Sequence, residues 1–369
     1  MDNKNQADSF NAHTPEAANK QASVWMKRGI AILDANAADN LPEAIGYFDK
    51  AIELRRALPL AKNPMFPYGL AAGWMNRGDA LTRLESEKNL AEALRSYDEA
   101  LKLLRDLPLD ANPLFRRRLA IAWQNRGLVL QKQNLLAEAA QSFEEAIAVL
   151  QNERAVEISG RNQILAAVWL NLANVLISQK INEAAAEARA AAKRTLSLVS
   201  QTEEKDLRDV EAGFKARHIL CQAVAQLLAK KNLPDSEIRN FVAEATDAVD
   251  EGLALARKWE FQDVQQFRPL AQQLFHFGAR IYQMYQPHFL TEFLLENFDP
   301  AQSPNTFVRN PEMQAAALES LWRAFREIQR GGFKKMNTPE FSELLERLRE
   351  LRVVEERLAK LRRHYQLDE

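Results

Sequence analysis

The chain has 369 residues, of which 47% are hydrophobic and 27% charged, and its formal net charge is −1. This balance is typical of a soluble helical protein and excludes a chain that is drawn by its overall charge to nucleic acid or acidic membranes. No apolar run reaches the ~18 residues of a membrane span, the N-terminus lacks a signal-peptide pattern, and the single Cys221 fits a reducing compartment, so we expect a cytoplasmic protein.

The N-terminal half predicts a series of long helices. Polar residues 1–13 predict a flexible tail. Three later sites join a capping residue to a proline, which fits the first turn of a helix because no N–H partner is needed there. These sites are Thr14-Pro15, Asn63-Pro64 and Asn112-Pro113. They predict first helices over about 15–36, 64–86 and 113–133, followed by second helices that begin near Leu41, Leu90 and Leu136.

One repeating frame runs through these helices. Its Trp residues recur at steps of 49, 49 and 46 residues, and a small residue follows each Trp by four positions. The pairs are Trp25 and Gly29, Trp74 and Gly78, Trp123 and Gly127, and Trp169 and Ala173. On the second helix of the third copy, Ala139, Phe143 and Ala146 complete the pattern. We expect the Trp to fill the cleft between helices, the small residues to let two backbones approach, and Phe143 to pack on the next hairpin.

This alternation of large and small residues resembles the tetratricopeptide repeat (TPR). The resemblance implies an all-α fold, a TPR-like right-handed α-solenoid of helical hairpins whose first helices line a concave groove for a partner. The repeats are longer than the ordinary unit of about 34 residues. In that respect they look more like the kinesin-light-chain type.

The pattern weakens toward the C-terminus. Arg189 stands at the aromatic position of the fourth copy, and CQAVAQLLAKKNL from Cys221 aligns with WQNRGLVLQKQNL from Trp123 as a divergent fifth copy. We therefore expect TPR-like repeats over 14–200, a fifth hairpin over 201–259, and a divergent helical region over 260–369 that caps the array. Helices in that last region are predicted at about 266–285, 288–298, 311–330 and 338–366.

The TPR resemblance places candidate partner-binding residues on the groove side of the first helices. They are Met26, Lys27, Met75, Asn76, Asp79, Gln124, Asn125, Asn171 and Asn174. A column of Asn side chains can hydrogen-bond an extended peptide through both donor and acceptor, and Met beside it offers an adaptable apolar floor. The alternative is that Asn only occupies a polar helix face, where it is tolerated.

A second column of residues combines opposite charges. Arg stands at one first-helix position of three copies and a carboxylate follows the second-helix aromatic, whereas the fourth copy has Leu172 and Ala190 at these places. The charged residues are Arg28 with Asp49, Arg77 with Asp98, and Arg126 with Glu144. Their joint presence and joint loss predict an ion pair within each repeat. The alternative is a row of guanidinium groups that faces a phosphate or carboxylate of a ligand.

The sequence predicts no catalytic residue, metal site or cofactor. The five His residues lack metal-ligand spacing. His218 and Cys221 lie one helical turn apart, but Cys221 occupies the Trp packing position, which favours a buried structural thiol over a nucleophile. The favoured function is a non-enzymatic scaffold or adaptor that binds a peptide or helical segment of a protein partner, and neither nucleic acid nor a membrane. The alternative is a regulator whose groove senses a peptide or small ligand while the C-terminal helices carry the output. No oligomeric state is predicted.

Overall fold

A computed structural model describes residues 14–35, 38–151, 160–202, 206–230, 232–260, 268–286 and 293. Over these ranges the protein is helical and contains no strand, and two short 3-10 helices, Ala38–Asn40 and Leu60–Lys62, accompany the α-helices. The chain divides into two compact units between Glu204 and Lys205. The predicted helices over 288–298, 311–330 and 338–366 and the predicted tail over 1–13 lie outside the described residues.

The first unit consists of four helical hairpins, and each hairpin packs on the next one. Their helices are α1 (Pro15–Asp34), α2 (Leu41–Arg56), α3 (Met65–Arg83), α4 (Glu87–Arg105), α5 (Pro113–Lys132), α6 (Leu136–Gln151), α7 (Arg161–Ser178) and α8 (Asn182–Ser200). The second unit contains α9 (Leu207–Leu228), α10 (Asp235–Glu260) and α11 (Arg268–Tyr285).

The predicted capping signals start the first helices. Thr14 Oγ1 accepts a hydrogen bond from the Ala17 amide at 3.2 Å, and Asn112 Oδ1 accepts one from the Leu114 amide at 2.9 Å. The starts of α1, α3 and α5 are thus confirmed to within one residue. The predicted start of α4 near Leu90 was three residues late, because Ser86 caps the helix by accepting from the Asn89 amide at 3.2 Å.

The turn that ends the first helix has the same register in four hairpins. A residue with positive φ lies eleven positions after Trp74, Trp123 and Trp169. These residues are Glu85, Asn134 and Lys180, with φ values of 55°, 60° and 57°. In the second unit Asn232, with φ of 63°, lies eleven positions after Cys221. A left-handed residue ends a helix and reverses the chain, so the hairpin of α9 and α10 turns in the register of the repeats.

The repeated glycines make room for the aromatic ring of their own hairpin. A Cβ atom added to any of them would lie within 3 Å of that ring, and all three rings are fully buried. The pairs are Gly29 with Phe48 at 2.5 Å, Gly78 with Tyr97 at 2.8 Å, and Gly127 with Phe143 at 2.7 Å. The close approach was predicted, but Phe143 lies against its own first helix, where only a glycine leaves space for the ring.

In the second unit α11 packs on both α9 and α10. Close approach again depends on glycine: a Cβ atom on Gly252 would lie 2.5 Å from Leu274, and one on Gly278 would lie 2.6 Å from Val249. The Tyr282 hydroxyl donates to Asp250 at 2.9 Å and adds a polar contact between α10 and α11. The observed α11 agrees with the helix predicted over about 266–285.

Candidate functional site

The first helices form the inner layer of the first unit. Consecutive first helices contact one another, α1 with α3, α3 with α5 and α5 with α7, whereas consecutive second helices among the described hairpins have weaker contacts or none. Because the first helices lie closer together, the array curves toward their side. We call the solvent-facing side of α1, α3, α5 and α7 the inner surface.

The nine predicted partner-binding residues differ in exposure. Met26 and Met75 are buried, and Met26 belongs to a core cluster with Ala22 and Phe48. Lys27 and Asn174 are exposed. The other five are half-buried: Asn76, Asp79, Gln124, Asn125 and Asn171. The two Met side chains therefore contribute to the hydrophobic core, whereas the other seven side chains keep some exposure to solvent.

Asp79 lies at the centre of a polar network between the second and third hairpins. One of its carboxylate oxygens, Oδ1, accepts hydrogen bonds from the Tyr97 hydroxyl and, at 3.0 Å, from the Asn125 side-chain amide. Burial raises the pKa of Asp79, and the bond from Tyr97, the charge of Arg83 and the bond from Asn125 partly oppose that rise. Burial and the nearby Asp79 charge raise the pKa of Tyr97 well above its ordinary value. The amide of Asn125 thus joins α5 to the preceding hairpin.

A signal for this network is present in the sequence. The second copy differs from the first and third copies at two positions. It has Tyr97 where they have Phe, and Asp79 where they have an apolar residue. The corresponding pairs are Ile30 with Phe48 and Leu128 with Phe143. An acceptor and a hydroxyl that appear together in one repeat indicate a buried hydrogen bond, because either group alone would be unsatisfied.

Two Arg residues of the charged column, Arg77 and Arg126, pair with carboxylates of the preceding repeat. Arg77 Nε lies 2.8 Å from Asp49 Oδ1, and Arg126 Nε lies 2.8 Å from Asp98 Oδ1. The same guanidinium groups donate through Nη1, at 2.8 Å, to Ser96 and Ser142 respectively on their own second helix. Arg77 Nη1 also lies 3.8 Å from Glu92. The predicted pairs Arg77–Asp98 and Arg126–Glu144 are therefore wrong, and the close carboxylate partners come from the preceding repeat.

The geometry of an α-helix explains the direction of these pairs. Successive side chains on a helix are about 100° apart. Tyr97 faces Gly78 on its own first helix, so Asp98 is rotated toward α5 of the next hairpin, where it meets Arg126. Each Arg–Asp pair therefore joins two hairpins. The alternative of a row of free guanidinium groups is also wrong for Arg77 and Arg126, because both have carboxylate partners.

Two of the repeated Trp rings lie under a cation from the preceding hairpin. The guanidinium carbon of Arg56 lies 4.7 Å from the ring centroid of Trp74, and that of Arg105 lies 4.6 Å from the ring centroid of Trp123. Each of these Arg residues comes from the second helix of the preceding hairpin. Trp74 is half-buried, so this Trp lies under a cation at the edge of the hairpin junction and does not fill a closed cleft. Such cation–π contacts give a further link between neighbouring hairpins.

The first four hairpins are TPR-like. The chain matches no family model, and a comparison with curated proteins gives no match. Among solved structures, it is similar to BtubC (BKLC) from P. vanneervenii at 15% identity, with 66% of this chain and 91% of that protein covered and a TM-score of 0.36.

Two further solved structures have a comparable likeness. The S. pombe nuclear import adaptor Nro1 is 14% identical, covers 90% of this chain and 99% of its own length, and gives a TM-score of 0.43. A tetratricopeptide repeat protein from Parabacteroides merdae is 15% identical, covers 81% and 98%, and gives 0.35. At these values the likenesses carry no argument about function.

Cys221 is a buried thiol in the TPR-like register of α9. Its side chain is fully buried, and Sγ lies 3.9 Å from the Ala245 carbonyl oxygen. Burial raises the pKa of the Cys221 thiol far above its ordinary value and lowers the pKa of His218. His218 Nε2 contacts the amide of Gln222 at 3.0 Å. The predicted burial of this thiol is confirmed, and its lack of reactivity stays a prediction.

No group of three or more His, Cys, Asp or Glu side chains is placed to hold a metal ion in the part of the chain that the structure describes. None of the helices described there is both long enough and apolar enough to cross a membrane.

Proposed function

We propose that the inner surface of the TPR-like unit binds a peptide or helical segment of another protein, and that the protein is a non-enzymatic scaffold or adaptor. A cytoplasmic location is part of this proposal and rests on the sequence. The partner lies along α1, α3, α5 and α7 and contacts side chains from several hairpins at once. Such multi-repeat contact is the usual advantage of a helical repeat surface.

One observation carries the proposal: half-buried amide side chains stand at the same register on neighbouring first helices. Asn76, Asn125 and Asn171 each follow their Trp by two positions. Asn125 donates to Asp79, whereas Asn76 and Asn171 have no hydrogen-bond partner among the described residues. An amide offers both a donor and an acceptor, which matches the alternating groups of a peptide backbone.

The hairpin junctions support the same proposal because they hold the inner surface in one geometry. The Arg77–Asp49 pair fixes the second hairpin on the first, and the Arg126–Asp98 pair fixes the third on the second. The bond from Asn125 to Asp79 adds a link on the inner side. A preorganised surface loses less conformational freedom when a partner binds.

Site-specific photo-crosslinking tests the proposal. A photoreactive amino acid at position 171 is expected to capture a defined protein partner from cells, and the same partner should be captured from position 76. The matched control is position 95 on the outer helix α4, because Arg95 is exposed and pairs only with Glu92 of its own helix among the described residues. Capture of the same protein with equal yield from position 95 would contradict binding at the inner surface.

A further inference from the structure

One core position of the repeat is polar in the first hairpin only. Seven residues after the second-helix aromatic, the second and third copies carry Leu104 and Leu150, both 0% exposed, whereas the first copy carries Arg55, which is only 7% exposed. A guanidinium at a Leu position needs compensating groups, because burying a charge is costly. The residues around Arg55 therefore show what the position is built to hold.

Arg55 donates to three neutral acceptors. Its Nε donates to Asn19 Oδ1 at 3.1 Å, its Nη2 to Ser23 Oγ at 3.1 Å, and its Nη1 to the Gly69 carbonyl oxygen at 2.7 Å. A guanidinium has five N–H groups, so Nη1 and Nη2 each keep one further proton. No carboxylate of the described residues lies within ion-pair distance of Arg55. Its hydrogen bonds are largely met, but its charge is not balanced.

A second guanidinium lies at the same turn of α3. Arg118 on α5 places its guanidinium carbon 4.2 Å from the ring centroid of Tyr68, next to Gly69. A Cβ atom on Gly69 would lie 3.3 Å from Arg55 Cζ, so the missing side chain makes room for the Arg55 head. The charge of Arg118 adds to burial in lowering the pKa of Arg55, which indicates that the two cations repel each other.

Of the other four basic residues of α5, three have carboxylate partners and the fourth, Arg117, is exposed. Arg116 pairs with Asp110, Arg126 with Asp98, and Lys132 with Glu85. Arg118 has no such partner among the described residues and is half-buried beside Tyr68. Two partly or fully buried cations without a counter-charge at one turn are unfavourable unless an anion binds between them.

The geometry points to an oxyanion site at the Tyr68–Gly69 turn, in which Arg55 and Arg118 together bind a carboxylate or phosphate group. Arg55 keeps one Nη1 proton and one Nη2 proton for such an anion, and Arg118 supplies a second planar donor fork from α5. Such charge-assisted bonds to carboxylate or phosphate are the strong form of this interaction. The anion is either a small free ion or an acidic side chain of a segment on the inner surface, and the site does not depend on which source supplies it.

Thermal unfolding of the full chain with inorganic phosphate, and separately with acetate, tests the site at constant ionic strength against sodium chloride. At roughly ten times the Kd, the bound ion is expected to raise the Tm by about 2–4 °C. The variants are Arg55→Leu, which restores the residue of the second and third copies, and Arg118→Ala. The matched control is Arg117→Ala, which removes the same charge from the next, exposed position of α5.

A short peptide of alternating Glu and Ala, compared with one of Gln and Ala, distinguishes the two sources of the anion. A Tm rise with phosphate or acetate that persists in Arg117→Ala and disappears in Arg118→Ala supports a site for free ions. Binding of the Glu peptide alone, with the same dependence on Arg118, supports a site for an acidic side chain. If neither probe binds, or if binding survives in Arg118→Ala, the proposal is overturned. These refuting results are measured on the wild type and on Arg118→Ala, so the proposal can be tested even if Arg55→Leu does not fold.

Discussion

The ion pairs between hairpins give the sharpest energetic prediction, and Arg77 is the residue to change. In Arg77→Met the apolar stem keeps its packing while the guanidinium is lost. That head group makes an ion pair with Asp49, a hydrogen bond to Ser96 and a distant contact over Trp74, whose centroid is 5.8 Å away. We expect the free energy of unfolding to fall by about 1–3 kcal/mol.

The coupling energy separates this pairing from the one within a repeat. The Arg77 side chain is 18% exposed and that of Asp49 is 51% exposed, so solvent screens the pair and a coupling of about 0.5–1 kcal/mol is expected. Arg77 and Asp98 do not pair in the structure, because Asp98 contacts Arg126. Their effects should add to within about 0.3–0.5 kcal/mol.

Two double-mutant cycles in urea measure both quantities. One combines Arg77→Met with Asp49→Asn, and the other combines Arg77→Met with Asp98→Asn. Equal m-values across the variants would show that the unfolding reaction is unchanged. A larger coupling between Arg77 and Asp98 than between Arg77 and Asp49 would refute the assignment of the pair to neighbouring hairpins.

Three further predictions concern the packing, the thiol and the inner carboxylate. Gly78→Ala places a methyl group against the Tyr97 ring and should lower the free energy of unfolding by about 1–3 kcal/mol. The control Gly46→Ala, where a Cβ atom meets nothing within 4 Å, should raise that free energy by roughly 0.5–1 kcal/mol. An unchanged free energy of unfolding in Gly78→Ala would disprove the close approach. Cys221 should resist a thiol reagent in the folded protein and react fully in denaturant, and rapid native labelling would contradict its burial. Because the pKa of Asp79 is raised in the folded state, ionisation of this carboxyl group opposes folding. The stability of the wild type relative to Asp79→Asn should therefore fall as pH rises from the ordinary Asp value of 3.8 through the raised folded pKa. A stability difference that is constant with pH would show that Asp79 does not titrate abnormally.

The helices and their register could be predicted from the sequence because their determinants are local. Capping residues before proline mark the helix starts, and the repeated Gly and aromatic positions mark the packing contacts. The exception is α4, whose cap at Ser86 lies outside the repeating pattern. The other second helices, α2 and α6, begin at the predicted Leu41 and Leu136. The helix α4 begins three residues before the predicted Leu90 because Ser86 caps it at Glu87.

The direction of the ion pairs could not be predicted from joint occurrence. Arg77 could pair with Asp49 or with Asp98, since both positions are occupied in adjacent copies and the fourth copy loses the Arg and the carboxylate together. The choice between these two partners depends on the rotation from Tyr97 to Asp98 about the axis of α4. That rotation shows the direction of Asp98 only once Tyr97 is known to face Gly78. A pattern of repeats identifies which residues interact more readily than which copy each partner belongs to.

The candidate site was predictable in position and less so in role. Asn125 stands in the predicted column, yet its amide is used by Asp79. Met26 was expected on the partner surface and lies in the core, because its side chain packs in a cluster with Phe48 of α2 and lies 3.8 Å from a Cβ atom added to Gly73 of α3. Arg55 was missed, although its Leu counterparts in the second and third copies mark it as an exception.

The affinity of the partner captured at position 171 tests the central claim most directly. Asn76→Ala combined with Asn171→Ala removes two amides that have no hydrogen-bond partner among the described residues, and Asn125 is left intact because its loss would disturb Asp79. Calorimetric titration should show binding weakened by at least tenfold, from about 1 kcal/mol for each lost hydrogen bond, while the urea midpoint of the free protein stays unchanged. An unchanged Kd in this stable double variant would contradict a partner held on the inner surface.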